Sequence, residues 1–292
     1  MPTRLPLCLA LLLALGLPAA AQAADRDYYV SLGDSYAAGY QATGPGTGKT
    51  TRNGYAYQLV GEARERGHRL KLVNFGCGGE TTTSILRRKS ACGGPAVGGP
   101  RYRGRTQVAA AERFLRRHRG EVGLITVSIG GNDVTSCAGQ PDPIPCVTAA
   151  VESIEKNVGT LTKRLRKAAG KKARIVGLTY PDVILGNWVT GQPADQDLAR
   201  LSVVAFQALI NPALEKVYKG AGGRFVDVTA ATGAYTPLEQ TTTLAPYGTV
   251  PVAVAEVCRL TYYCEFRDIH ARTSGYRVIA DLIAKTLPKR RS

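Results

Sequence analysis

The sequence is poor in acidic residues and in histidine, and it contains only one long apolar run. Its 292 residues include 22 acidic residues against 38 lysines and arginines, and only three histidines. The single apolar run excludes a multi-pass membrane protein. With 44% hydrophobic residues the chain is not disordered, and its glycines lack the strict period of collagen. The composition is that of a globular protein.

The excess of basic residues gives a formal charge of +16, for which four explanations are open. Such a charge suits a nucleic acid, an acidic polymer, an anionic membrane or solubility alone. The basic residues gather in segments 113–119, 163–172 and 289–291. Charge runs on helices usually form solvated faces, so the charge alone does not select a partner.

The apolar run lies at the N-terminus and has the features of a secretion signal. Arg4 supplies a positive charge, a run of leucine and alanine follows, and residues 21–23 (Ala-Gln-Ala) fit the small-x-small cleavage rule. The run is shorter than the roughly 20 residues of a membrane span, which argues against an anchor. We therefore predict a signal peptide over 1–23, a single domain over 24–292 and an extracellular location.

Six cysteines remain after that segment, and an even number in an exported chain indicates disulfides. Their count leaves the connectivity open, but proximity along the chain favours three local bridges. These are Cys77–Cys92, Cys137–Cys146 and Cys258–Cys264. A metal site is not expected, because no C-x-x-C pair occurs and the histidines are not nearby.

Strand-like and helix-like segments alternate along the rest of the chain. Short apolar or β-branched runs predict strands over 28–32, 70–75, 122–129, 174–179 and 224–228. Helices are predicted over 55–66, 107–117, 147–169, 195–218 and 274–286, and irregular structure over 90–102 and 235–263. The alternation predicts an α/β fold, a three-layer, doubly wound, flavodoxin-like domain around a mostly parallel five-stranded sheet.

Three glycine-rich turns follow the first three predicted strands. They contain Ser35, the pair Gly78-Gly79, and Asn132. In a doubly wound fold, ligands bind beyond the carboxyl ends of the strands, so these turns are expected to converge. A serine hydroxyl, backbone N–H groups and an asparagine amide together suit acyl transfer, which needs a nucleophile and donors for an oxyanion.

Acyl transfer also needs a base, and the three histidines differ in context. His68 is predicted in an exposed turn among basic residues, and His118 lies at a basic helix end. His270 lies just before the last predicted helix, two residues after Asp268. We therefore select His270 as the base.

In these turns the chain resembles the SGNH hydrolases, also called GDSL esterases and lipases. Residues 33–35 (Gly-Asp-Ser) resemble the nucleophile block, 79–81 (Gly-Glu-Thr) the second, 130–133 (Gly-Gly-Asn-Asp) the third and 268–270 (Asp-Ile-His) the last. Each motif alone is weak, but four in order across the chain form a specific signature. The closest similarity is to secreted actinobacterial lipases and esterases, which also carry three local disulfides.

The resemblance implies hydrolysis of carboxylic esters without a cofactor or a metal. Ser35 would attack the ester carbonyl, with His270 taking its proton. The backbone N–H groups of Ser35 and Gly79 and the side-chain amide of Asn132 would hold the oxyanion.

The last block departs from the family pattern. Many members place the histidine-orienting aspartate three residues before the histidine, where this chain has Arg267. Two arrangements therefore fit. Either Asp268 orients His270 in a triad, which we favour, or a backbone carbonyl near Arg267 does so in a dyad.

Four tyrosines near the motifs are candidates for substrate contact. Tyr36 adjoins the nucleophile, Tyr180 follows the fourth predicted strand, and Tyr262 and Tyr263 precede His270. Core packing explains Tyr36 and Tyr180 equally well, whereas Tyr262 and Tyr263 are favoured for an acyl-chain pocket. Residues 44–50 resemble a phosphate-binding loop, but Thr43 stands where that pattern needs glycine, so we predict a flexible loop.

The same machinery serves a lipase, a phospholipase, a carbohydrate deacetylase or an acyltransferase. A protein of another class, a cationic envelope-binding protein without catalysis, also fits the charge. The partners we expect are a small-molecule or lipid ester and weakly attracting anionic lipid or cell-wall polymer, and not nucleic acid. We expect a monomer.

Overall fold

The computed structural model describes residues 27–89 and 92–290. The predicted signal peptide lies outside the described residues. The described residues contain nine strands: β1 Asp27–Gly33, β2 Tyr40–Gly44, β3 Thr47–Thr50, β4 Leu70–Asn74, β5 Val122–Ser128, β6 Arg174–Leu178, β7 Arg224–Val226, β8 Thr241–Leu244 and β9 Gly248–Pro251.

Five of the strands form the central sheet, in the order β4-β1-β5-β6-β7. Every pairing in this sheet is parallel, with β1 flanked by β4 and β5. The predicted α/β fold and its five-stranded parallel sheet are therefore confirmed. Because the strands are parallel, all their carboxyl ends lie along one edge, the carboxyl edge, and their amino ends along the opposite amino edge.

Helices flank the sheet. They are α1 Ser35–Ala38, α2 Tyr55–Glu65, α3 Thr82–Arg87, α4 Gln107–Arg117, α5 Gly131–Thr135, α6 Pro143–Ala169, α7 Pro193–Ala205, α8 Asn211–Gly220, α9 Val228–Ala231, α10 Val252–Leu260, α11 Tyr263–Phe266 and α12 Thr273–Ala284. Short 3₁₀ segments cover Ser136–Gly139 and Val183–Thr190, and a π-helical turn covers Phe206–Ile210.

The sheet separates two apolar cores, because successive side chains of a strand point to opposite faces. On β1, Val30 and Leu32 pack into the core shared with α4, α6 and α8, whereas Tyr29 packs into the core shared with α2 and α12. On β5, Ile125 packs into the first of these cores and Leu124 into the second. Strands buried on both faces explain the continuous apolar runs in the sequence.

Three segments differ from the sequence predictions. The helix predicted over 195–218 is divided into α7, a π-helical turn and α8; Pro212 in the first turn of α8 has no N–H to continue the ladder. The segment 235–263, predicted irregular, contains the β8–β9 hairpin and α10, which pack on a third apolar core. Residues 44–50, predicted as a flexible loop, lie in the β2–β3 hairpin.

The three predicted disulfides are present. They join Cys77 to Cys92, Cys137 to Cys146 and Cys258 to Cys264. His68 is not exposed as predicted, because its ring lies buried with Nε2 at 2.7 Å from the Pro288 carbonyl oxygen.

No helix among the described residues is long and apolar enough to span a membrane. Within those same residues, no cluster of three or more His, Cys, Asp or Glu side chains is arranged to hold a metal ion.

Candidate active site

The turn after β1 carries Ser35 at the carboxyl edge. Gly33 adopts φ +137°, and a Cβ there would lie 1.9 Å from the Ser128 carbonyl oxygen, so only glycine fits. Asp34 caps α1 by accepting a hydrogen bond of 2.9 Å from the Tyr36 N–H. The strand therefore turns sharply into α1, and Ser35 begins that helix.

Ser35 lies in a chain of short hydrogen bonds with residues from the far end of the sequence. Its Oγ is 2.7 Å from His270 Nε2, and His270 Nδ1 is 2.7 Å from Asp268 Oδ1. The same carboxylate oxygen accepts from the His270 backbone N–H at 2.9 Å. Asp268 therefore fixes both the ring and the backbone of His270. The contacts run from Ser35 to His270 to Asp268, which is the order that a nucleophile, a base and an orienting acid require.

The charge on Asp268 is stabilised by this contact. Burial raises the pKa of the carboxyl, but the hydrogen bonds and the Coulombic interaction with His270 lower it by more in sum. The net pKa lies below the ordinary value of an aspartate, so Asp268 is ionised at neutral pH and can hold a proton on His270 Nδ1.

The backbone N–H groups of Ser35 and Gly79 donate to no group within residues 27–89 and 92–290. Gly79 is exposed and adopts φ +75°, which favours glycine. The Asn132 side-chain amide donates one N–H to the Glu80 carbonyl at 2.8 Å and has a second N–H. These donors are of the kind that stabilises an oxyanion.

The turns that carry Gly79 and Asn132 are tied together by neighbouring side chains. Asp133 accepts hydrogen bonds from Thr82, at 2.9 Å from the backbone N–H and 2.6 Å from the hydroxyl. Thr81 caps α3 through a reciprocal capping box with Ser84. The positions of the donors are therefore fixed by hydrogen bonds on both turns.

A buried glutamine supports the turn that carries Ser35. Gln107, 1% exposed, accepts from the Gly33 N–H at 2.8 Å and donates to the Gly33 carbonyl at 2.9 Å. Both backbone groups of Gly33 are thus satisfied by one side chain.

Asp34 accepts a hydrogen bond from the Tyr180 hydroxyl. Burial raises the pKa of the Asp34 carboxyl to about 7 against the opposing effect of that hydrogen bond.

An apolar cavity of about 130 Å³ opens beside Ser35. Apart from the Ser35 turn and the Asn132 turn, its walls come from α6, the segment 180–184, the α7–α8 region and Ile269. The apolar side chains that line it include Val147, Ile154, Leu198, Leu201, Ala205, Phe206, Ile210 and Leu214. An apolar cavity of similar size in another protein holds a benzene ring, so this one has room for a short hydrocarbon chain.

The sequence profile of the GDSL-like lipase/acylhydrolase family matches residues 31–278, which include every residue of the site. The chain belongs to this family. The predicted resemblance to the SGNH, or GDSL, hydrolases is therefore confirmed. A search of curated proteins finds no significant match.

Solved structures similar to this GDSL-family chain include three hydrolases. An extracellular lipase from Streptomyces rimosus is 19% identical with a TM-score of 0.43, covering 88% of this chain and 99% of the lipase. A carbohydrate acetylesterase from Sinorhizobium meliloti is 12% identical with a TM-score of 0.48, covering 89% and 98%. An aryl esterase from M. smegmatis is 12% identical with a TM-score of 0.45, covering 89% and 97%.

The four candidate tyrosines divide into two pairs. Tyr36 and Tyr180 line the cavity, with their rings edge to face at 5.0 Å between centroids. Tyr262 and Tyr263 are not among the residues that line it. The Tyr262 ring stacks on Phe266 and contacts the Arg272 guanidinium, and the Tyr263 hydroxyl donates to the Asn187 side-chain oxygen.

Sequence reasoning missed Gln107 and most of the cavity lining. Gln107 is the first residue of α4 and no motif marks it. The cavity residues come from segments more than 50 positions apart, such as Val147 and Leu214, and an amphipathic helix has the same pattern whether its apolar face meets a core or a cavity. The sequence pattern of a helix therefore does not show which of its apolar residues line a cavity.

Proposed function

We propose that this GDSL-family protein is a serine esterase or lipase that hydrolyses carboxylic esters through an acyl-enzyme on Ser35. The observation that carries the proposal is the continuous chain of hydrogen bonds from Ser35 through His270 to Asp268. It supports the triad over a dyad oriented by a backbone carbonyl.

In the first half-reaction, His270 Nε2 accepts the Ser35 proton as Oγ attacks the ester carbonyl carbon. Asp268 orients the ring and stabilises the imidazolium that forms. The proton then passes to the leaving alcohol as the C–O bond breaks, which leaves the acyl group on Ser35. In the second half-reaction, water attacks the acyl-enzyme with His270 again as base, and the acid and free serine are released.

We assign the oxyanion hole to the N–H groups of Ser35 and Gly79 and to the second side-chain N–H of Asn132. Loss of one such donor typically lowers turnover on the order of 10²–10³-fold. The free N–H groups and the hydrogen bonds that position Asn132 support this assignment. Ser35 also begins α1, where the partial positive charge of a helix N-terminus favours an oxyanion.

The apolar cavity supports a hydrocarbon acyl chain as the group that is bound. Most of its lining away from the Ser35 and Asn132 turns is aliphatic or aromatic, and Ile144, 37% exposed, also lines it. A chain of about six carbons matches a cavity of this size, by comparison with the space that holds benzene. These features favour an esterase or lipase over a deacetylase, whose acetyl group would leave most of the cavity empty.

We further propose that residues 1–23 are a removable signal peptide and that the enzyme, residues 24–292, is secreted. Three disulfides among the six cysteines of the described residues support this, because such bonds persist in oxidising compartments. Mass determination of the protein from a culture supernatant tests it, and a mature chain that still begins before residue 21 would contradict the predicted cleavage.

The enzymatic proposal is tested with a serine-reactive phosphonate. We expect stoichiometric labelling of the wild type and of Ser153→Ala, whose serine is exposed on α6, and none of Ser35→Ala. Labelling of Ser35→Ala at another serine would exclude Ser35 as nucleophile. No labelling of the wild type would favour the non-catalytic envelope-binding alternative.

Substrate class is tested with p-nitrophenyl esters from acetyl to palmitoyl, a phospholipid and an acetylated sugar. We expect the highest kcat/KM for acyl chains near the length that the cavity holds. Ala205→Leu, which fills the cavity, should shift the preference to shorter chains, whereas Ala149→Leu, at an exposed position of α6, should not. A preference for the acetylated sugar, or for the phospholipid, would replace the esterase with the corresponding alternative.

A further inference from the structure

A second cavity, of about 520 Å³, lies at the amino edge of the central sheet. It is lined by the first residues of β1, β4, β5, β6 and β7. Six cationic side chains surround it: Arg166, Lys171, Lys172, Arg174, Arg224 and Arg290. We name it the basic cavity. The seven residues of β5 separate it from the carboxyl edge by roughly 20 Å, so it is distinct from the Ser35 site.

The charge in the basic cavity is not balanced by the described residues. Asp27 is the only carboxylate among the described residues that line it, and it pairs with Arg290 at 3.2 Å. The other five cations have no carboxylate partner within residues 27–89 and 92–290. Arg166 donates to the backbone carbonyls of Gly170 and Gly222, which orient its guanidinium without neutralising it.

Helix ends account for only part of this charge. Arg166 lies in the last turn of α6, where a cation is stabilised by the helix dipole. Lys171 and Lys172 lie beyond the end of α6, and Arg174 and Arg224 begin the paired strands β6 and β7. Arg174 donates to the Thr286 carbonyl in the turn that follows α12. Lys171, Lys172 and Arg224 have no such carbonyl partner among the described residues, so their accumulation points to an external anion.

Arg174 and Arg224 are close enough to repel each other. Burial lowers the pKa of Arg174, and the charge of Arg224 lowers it further. An anion bound between the two guanidinium groups would attract both of them and offset their repulsion. Arginine binds phosphate oxygens through two parallel N–H groups, and lysine adds a point charge, so the residue types match a phosphate ligand.

We propose that the basic cavity binds a linear polymer of phosphate groups and thereby holds the enzyme to it. A polymer is favoured over a single phosphate because five unpaired cations exceed the charge of one group, about −2. A lipid surface is disfavoured because contact at the amino edge would turn Ser35 away from that surface. Nucleic acid is disfavoured because no phenylalanine, tyrosine or tryptophan lines the described part of the cavity to stack a base.

The test compares two triple variants with the same loss of charge. The cavity variant carries Lys171→Gln, Lys172→Gln and Arg224→Gln, all exposed positions that line the basic cavity. The helix-face variant carries Lys156→Gln, Lys163→Gln and Arg113→Gln, exposed positions that do not line it. The probe is long-chain inorganic polyphosphate, with binding measured by titration calorimetry at several salt concentrations.

We expect the wild type and the helix-face variant to bind polyphosphate alike, and the cavity variant to bind it at least about tenfold more weakly. The slope of log K against log salt concentration should be smaller in magnitude by about two to three for the cavity variant. Equal loss in both variants would overturn the proposal in favour of non-specific charge, as would no binding by the wild type. Vesicles of phosphatidylglycerol are the second probe, and cavity-dependent binding to them without polyphosphate binding would identify a lipid headgroup and overturn the polymer. Circular dichroism confirms folding in each variant, and ester hydrolysis is not needed for any readout.

Discussion

The carboxyl and amino edges of the central sheet differ in the sign of their charge and in how their polar groups are held. At the carboxyl edge, each of Asp34, Asp133 and Asp268 accepts hydrogen bonds, either within its own turn or from a neighbouring turn. At the amino edge, the exposed side chains of Lys171, Lys172 and Arg224 line an open cavity. The carboxylates of one edge lie within a hydrogen-bonded network, whereas these three cations of the other edge are exposed to solvent.

The direction of the chain explains part of this difference. In a parallel α/β sheet, helices begin at the carboxyl edge and end at the amino edge, so positive helix ends gather at the first and negative ends at the second. Accordingly, α1 and α5 begin beside the site, and the last turns of α4, α6 and α8 carry arginine or lysine. The fold itself prepares one edge for an oxyanion and the other for basic side chains.

Removal of the base at the carboxyl edge should lower the activity more than any other change considered. We expect His270→Ala to lower kcat by about 10⁵–10⁶-fold, because Ser35 loses its proton acceptor. His118→Gln is the matched control, since His118 pairs with Glu121 far from Ser35 and should leave kcat unchanged. Kinetics on a soluble p-nitrophenyl ester measure both. A His270→Ala variant that keeps more than a few per cent of activity would require another base.

Neutralising the orienting carboxylate should have the next largest effect. Asp268→Asn should lower kcat by about 10²–10⁴-fold, because an amide can donate to Nδ1 and hold the wrong tautomer of His270. Asp197→Asn, at an exposed position paired with Arg200, is the control and should match the wild type. Unchanged turnover in Asp268→Asn would favour the dyad, with a backbone carbonyl as the orienting group.

The sequence was most informative where chemistry depends on a short motif. Ser35, Asn132 and His270 follow predicted strands or precede a predicted helix, and each sits in a recognisable block, so their convergence could be predicted. The sequence leaves a backbone carbonyl as the alternative to Asp268, because the direction of the Asp268 side chain depends on the conformation of the turn. Backbone geometry at Arg267, with φ +56°, is not readable from residue types.

Features built from distant packing could not be predicted. Gln107 and Gly33 are 74 positions apart in the sequence, and their contact depends on how the chain folds. A glutamine in an amphipathic helix also looks like an ordinary residue of the polar face. The β8–β9 hairpin was missed because its strands are only four residues long and pair only with each other. The basic cavity also depends on strand order and register, which pair β6 with β7 and place Arg224 opposite Val176, two residues after Arg174.

The two edges should also differ in how pH affects stability. Burial raises the pKa of Asp182, a fully buried residue after β6, to about 7 against the lowering effect of its hydrogen bond from Ser202. Between the unfolded value of about 4 and this folded value, the folded state binds more protons than the unfolded state. The contribution of Asp182 to the free energy of unfolding therefore falls as pH rises through that window. The arginines of the amino edge do not titrate there.

Replacing this carboxyl should remove its share of the pH dependence. We expect the difference in free energy of unfolding between Asp182→Asn and the wild type to change by about 1–4 kcal/mol from pH 4 to pH 7, in favour of the variant at the higher pH. Urea denaturation at several pH values measures it, with exposed Asp197→Asn as the control. Parallel curves for Asp182→Asn and the wild type would mean that the folded carboxyl titrates normally.

The smallest effect is expected at the amino edge, and it should depend on salt. If the cations of the basic cavity repel one another without a bound anion, the cavity variant should be more stable than the wild type at low ionic strength, by up to about 1 kcal/mol. The gain should vanish in 1 M sodium chloride, where the Debye length is about 3 Å. The helix-face variant should show less than half of the gain, because its cations are spread along exposed helix faces. A cavity variant that is less stable than the wild type at every salt concentration would mean that these side chains contribute packing rather than repulsion, and the amino edge would then be a structural surface like any other.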